Sequence, residues 1–98
     1  MKDVLWKPGL VIEQGKDDNE IYNLDWTKWA DGETLVNPPT MTVPSGITAQ
    51  LYTINATSVD VRVFGGTQGV TYTIPIKVVS ATHAREDTRN FVIKIIDQ

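Results

Sequence analysis

The feature that most constrains this chain is a two-residue alternation of apolar and polar side chains, which returns three times in its second half. In Ser58–Phe64, Val59, Val61 and Val63 point one way while Asp60 and Arg62 point the other. In Thr71–Ser80, Tyr72, Ile74, Ile76 and Val78 make one face, opposite Thr71, Thr73 and Lys77. In Thr88–Asp97, Phe91, Ile93 and Ile95 share a face and Lys94 lies on the other. Side chains alternate between the two faces of a strand, so each run reads as a strand with one buried face. Upstream, Tyr22, Leu24 and Trp26 alternate with Asn23 and Asp25 as a fourth strand, and Ile47–Ile54, entered through Pro44-Ser45-Gly46, is another. Thr34–Val36 with Thr40–Val43, broken by Asn37-Pro38-Pro39, reads as an interrupted or edge strand, because proline cannot donate to a ladder. Leu10-Val11-Ile12 is a candidate for a short seventh.

Helical periodicity is scarce. Its best case is Asp25–Asp31, where Trp26, Trp29 and Ala30 fall at i, i+3 and i+4, and Gly32 is placed to stop it after about one turn. Six or seven short strands with turn signals between them predict an all-β fold, a Greek-key β-sandwich of the immunoglobulin-like kind or a small barrel. The stretch Phe64-Gly65-Gly66-Thr67-Gln68-Gly69-Val70-Thr71-Tyr72 favours the sandwich. In such folds the chain crosses between sheets at glycines that tolerate positive φ, and a tyrosine near the start of the incoming strand turns its hydroxyl back onto upstream backbone. Tyr72 stands where that corner would put it; the alternative is an ordinary hairpin with Tyr72 as one more inward aromatic.

The 98 residues suffice for one domain, read as an N-terminal arm over 1–20 followed by the sandwich over 21–98. A chain this short buries only about 60–65% of the surface its unfolded form exposes, so its core is modest. Charge is unevenly placed. Between Glu13 and Glu33 seven acids face two lysines, whereas no charged residue occurs from Thr34 to Val59, a span that carries six threonines. Threonine-rich uncharged sequence suits half-buried pleated strands. A net charge of −3 gives no general attraction to nucleic acid or anionic membrane, and neither is expected as a partner. The absence of cysteine removes disulfides, thiolate zinc sites and cysteine catalysis, and no apolar run approaches the roughly 18–20 residues of a spanning helix. The first residues lack the apolar stretch of a signal peptide.

Chemical motifs are sparse. His83, in the polar stretch Ser80–Asp87, has no visible nucleophile or second metal ligand and reads as a solvated loop histidine. Asp17-Asp18-Asn19-Glu20 holds hard oxygen ligands but lacks the spacing and glycine of a calcium loop. Gly65-Gly66-x-x-Gly69 lacks the lysine and following helix of a phosphate cradle. No enzyme activity, cofactor or metal is therefore expected. The aromatic residues remain. Trp26 is expected in the core and Trp29 over one end of the sandwich. Trp6, beside Pro8-Gly9 and ahead of any firm strand, is either an interface anchor on a free arm or a cover for its own core, if Met1–Gln14 folds back as an edge strand.

Four segments carry a resemblance. Asp25-Trp26-Thr27-Lys28-Trp29-Ala30-Asp31-Gly32-Glu33-Thr34, Thr42-Val43-Pro44-Ser45-Gly46-Ile47, Gly65-Gly66-Thr67-Gln68-Gly69-Val70-Thr71-Tyr72-Thr73-Ile74 and Arg85-Glu86-Asp87-Thr88-Arg89-Asn90-Phe91-Val92-Ile93-Lys94-Ile95 together resemble a family of small tailed-bacteriophage virion proteins. It covers about Ile21–Asp97, and the family is described as fibre–tail adaptors with an immunoglobulin-like fold. The resemblance implies a structural virion subunit, assembled in the host cytoplasm, that is present in several copies and contacts tail, nozzle or portal-proximal proteins and fibre. A capsid decoration domain, or a carbohydrate-binding immunoglobulin-like module with exposed aromatics on a shallow face, are the alternatives. The expected contacts are an arm (Trp6, Pro8, Leu10, Ile12), an edge in the uncharged span (Thr40, Thr42) and a distal loop (His83, Arg85). On this reading, deleting Met1–Gln14 leaves a folded monomer that no longer joins the particle.

Overall fold

A computed structural model describes residues 2–4, 9–36 and 38–97, and among these it has eight strands and one turn of helix. In chain order they are β1 (Lys2–Val4), β2 (Val11–Gly15), β3 (Asn19–Asp25), α1 (Thr27–Ala30), β4 (Thr40–Met41), β5 (Ile47–Ile54), β6 (Ser58–Gly65), β7 (Thr71–Val79) and β8 (Glu86–Ile96). They form two four-stranded sheets, ordered β1-β3-β6-β5 and β2-β8-β7-β4. The chain is a β-sandwich.

The alternation fixes how the layers face. Val59, Val61 and Val63 of β6, with Tyr22 and Leu24 of β3, meet Ile74, Ile76 and Val78 of β7 and Phe91, Ile93 and Ile95 of β8 in one buried cluster. Tyr22 and Phe91 meet edge to face across the layers, their ring centroids 5.2 Å apart. The β6–β7 crossing is built as the sequence predicts. The Tyr72 hydroxyl accepts a hydrogen bond from the Thr67 backbone N–H at 2.9 Å, five residues upstream. The corner needs its glycines. Gly66 has φ +90°, and a Cβ there would lie 2.7 Å from Ile95 Cγ1.

Asp25–Asp31 does form a single helical turn. It ends at Asp31 and Gly32, both left-handed, with φ of +50° and +85°. Thr34–Val36 is reduced to one bridge, Leu35 to Ser80, and β4 to two residues. Pro38, Pro39 and Pro44 flank that short edge, and on β7 its neighbour Pro75 has no N–H to offer it. The Thr42 N–H donates to the Pro75 carbonyl, the last contact of this edge.

Among the described residues, the candidate seventh strand at Leu10-Val11-Ile12 is β2, and the three-residue β1 is one strand more than the expected six or seven. Lys2–Val4 runs parallel to β3, and Val11–Gly15 runs parallel to β8. Val4 is buried in the core, and Leu10 and Ile12 pack against it. Gln14 is buried too. Its amide nitrogen donates to the carbonyls of Val63 (3.0 Å) and Asp18 (3.1 Å), and its oxygen accepts from the Tyr22 hydroxyl (2.8 Å). Burial, then the nearby Glu20 and Asp18 carboxylates, push the Tyr22 phenol up to about 12. Removing Met1–Gln14 therefore strips both edge strands and the Gln14 partner from the core, so the clean undocking expected from sequence gives way to an expected loss of stability.

Candidate functional site

The chain's surface is organised by its two lateral sides. Tyr22 of β3 lies over Phe91 of β8, and Gln14 of β2 bonds Tyr22, so β1 and β2 close one side while β5 and β4 close the other. The uncharged span Thr34–Val59 thus supplies the free edge of both sheets on the same side.

The four edges differ in how they resist pairing. β1 is three residues long and carries Lys2 and Asp3; β2 carries Glu13. β4 is two residues between prolines. Charges, brevity and proline are the usual protections of an edge. β5 has eight residues, none charged, and no described strand pairs with its outer edge. Ile47, Ala49 and Leu51 lean toward the core, whereas Thr48 and Gln50 point outward, opposite Phe64 and Arg62. A bulge at Tyr52 interrupts the ladder. That residue is 54% exposed, with the Arg62 guanidinium 5.1 Å from its ring centroid.

The distal loop is braced. Ser80 to Arg85 closes on itself through Ser80 N–H to Arg85 O (2.8 Å) and Arg85 N–H to Ser80 Oγ (2.9 Å). The Arg85 guanidinium then spans to the segment around α1. It donates to the Glu33 carboxylate at 2.7 and 3.1 Å and to the carbonyls of Trp29 and Ala30, while lying 4.7 Å from the Trp29 ring centroid. Glu33 also accepts from the backbone N–H groups of Thr82 and His83. Hydrogen bonding from Arg85 foremost, then from His83, outweighs the opposing effect of burial and holds the Glu33 carboxyl down to about 2. At the same end Trp26 Nε1 donates to Asp87, and Arg89 donates to the same Asp87 oxygen.

The residues expected to make contacts fall into three groups. Thr40 and Thr42 are exposed on the β4 edge, and the His83 side chain is 72% exposed, 3.4 Å from Glu33. Arg85, Leu10 and Ile12 serve the fold itself: Arg85 is the brace, and Leu10 and Ile12 face the core. Trp6 and Pro8 lie outside the described residues. Sequence reasoning passed over Val11, 46% exposed on the outer face of β2, although alternation with Ile12 points to it. Tyr52 was passed over too, because a bulge leaves no mark in the sequence.

A cleft of about 1040 Å³ opens beside α1, lined among others by Val4, Leu10, Trp26, Trp29, Lys28 and Arg89. His83 is not part of it. Trp26 is buried and Trp29 half-buried, so Tyr52 is the one exposed aromatic among the described residues, and no aromatic row of the carbohydrate-binding kind is formed by them. No group of three potential metal ligands occurs among them either, and no described helix is long and apolar enough to cross a membrane.

With this geometry the likeness to known proteins becomes specific. The family described as "Podophage GP4 fiber-tail adaptor protein gp77" matches residues 14–94. The chain belongs to that family. The gp77 family is one of phage structural adaptors, so this is a virion protein with a structural role in the tail. The match begins at Gln14, the buried residue that ties β2 to Tyr22, and runs to Lys94 in β8. No curated protein matches the chain. A solved structure, "Solution Structure of Amebosin", is 16% identical, with a TM-score of 0.41 over 92% of this chain and 90% of that one.

Proposed function

We propose that this adaptor joins tail to fibre as a rigid spacer present in several copies, using contacts between proteins and no chemistry of its own. What supports this most is the uncharged side: one continuous stretch of sequence exposes the edges of both sheets together, where neighbouring subunits can reach them. A sandwich with a largely apolar interior, in which the buried Gln14 amide is bonded to Tyr22 and Val63, holds its edges and loops at fixed angles. Thr40 and Thr42 on the β4 edge contact the tail, with Trp6 and Pro8 of the N-terminal segment adding to that contact. The loop carrying His83, stiffened by Arg85 and Glu33, faces the fibre. Neither nucleic acid nor membrane takes part, and assembly occurs in the host cytoplasm.

Labelling the chain on purified particles and imaging them tests the reading. Label at the junction of tail and fibre is expected; label spread over the capsid shell would overturn it in favour of a decoration protein.

A further inference from the structure

We infer that β5 pairs with β5 of a second copy, antiparallel about a twofold axis, joining two four-stranded sheets into one of eight strands. The reason lies in what such an axis demands. In an isologous contact each edge meets itself, so any charge near the centre faces its own like. Like charges directly opposite each other on paired strands destabilise the pairing. Glu13, at the centre of β2, would meet that penalty, and β1 and β4, of three and two residues, are too short to pair. β5 is the long described edge that meets the demand, with no charge from Ile47 to Ile54.

The details fit. The regular run before the bulge is Ile47–Leu51, and centring the axis on Ala49 sets Thr48 opposite Gln50 of the second copy on the outer face. Arg62, the cation on β6, would lie three strand spacings across (about 14 Å) and two residues along from its counterpart. That exceeds the screening length of about 8–10 Å near physiological salt. The Tyr52 bulge, which breaks the ladder to β6, ends the regular run at Leu51. Growth stops at two copies because the far edge of the joined sheet is the short, charged β1.

This contact does not depend on the adaptor reading, since its test reads association alone. Sedimentation of the full chain over a concentration series is expected to show a monomer–dimer equilibrium. Thr48→Lys with Gln50→Lys is expected to weaken dimerisation at least about tenfold, and Thr48→Glu with Gln50→Glu likewise. An equimolar mixture of the two variants is expected to recover the dimer, because opposite charges then face each other. A wild-type chain that stays monomeric throughout, a lysine variant that dimerises as the wild type does, or a mixture that stays monomeric would each overturn the inference. Should the variants fail to fold, amide resonances of the wild-type chain decide it. Dilution is expected to shift those of Ile47–Leu51, and shifts confined to other strands would refute it.

Discussion

The two lateral sides of the sandwich are built on opposite terms. On one, β1 and β2 are short and partly charged, and they are tied inward by Val4, Ile12 and Gln14. On the other, β4 and β5 carry no charge, and Thr48, Gln50 and Tyr52 of β5 face outward. An edge that hydrogen-bonds into its own core is costly to remove, whereas one that does not is cheap to alter and free to be shared.

Deleting Met1–Gln14 should break this contrast most visibly. It removes an edge strand from each sheet, and the cooperative thermal transition followed by circular dichroism is expected to be lost or lowered by tens of degrees (about 4–8 °C for each kcal/mol in a domain this size). Retention of the full-length midpoint would mean that this side is not part of the core. Gln14→Ala sharpens the same point. It leaves the Val63 carbonyl and the Tyr22 hydroxyl without their buried partner, and an increase in urea sensitivity worth about 2–3 kcal/mol is expected.

The brace at the start of the uncharged side answers to acid. The Glu33 carboxyl titrates near 2 when folded and near 4.5 when unfolded, so its contribution is complete above about pH 4.5 and is lost as pH falls toward 2. In Glu33→Gln, stability measured by denaturation should fall less steeply over that window than in the wild type. The smallest effect belongs to β5. Thr48→Ala, measured by urea denaturation of dilute chain, should change stability by no more than about 0.5 kcal/mol, as for an exposed surface position.

The same contrast marks what could be seen in the sequence. Strands β6, β7 and β8 announce themselves because each has a partner close in the chain and at least three alternate apolar residues on one face. Tyr72 with Gly65-Gly66 announces the crossing because the corner is local, reaching back only to Thr67. The arm was ambiguous for the opposite reason. β2 pairs in parallel with a strand some eighty residues away, and five residues carrying Glu13 and Gln14 give too short an alternation to read. Gln14 looks like a surface residue until Tyr22 and Val63 are brought to it. Arg85 looks like a free cation in a polar loop, and only the fold sets Glu33 and the end of α1 within its reach. For the uncharged span, composition marked an unguarded edge, and the fold then placed two edges there rather than one.

That the uncharged side is the one shared on assembly is tested most directly by amide hydrogen exchange, comparing dilute chain with the same chain in assembled tails. Strong new protection over Ile47–Ile54 is predicted, with β2 already slow to exchange in the dilute chain. Exchange at Ile47–Ile54 that is unchanged by assembly, while new protection falls on the first twenty residues, would contradict it.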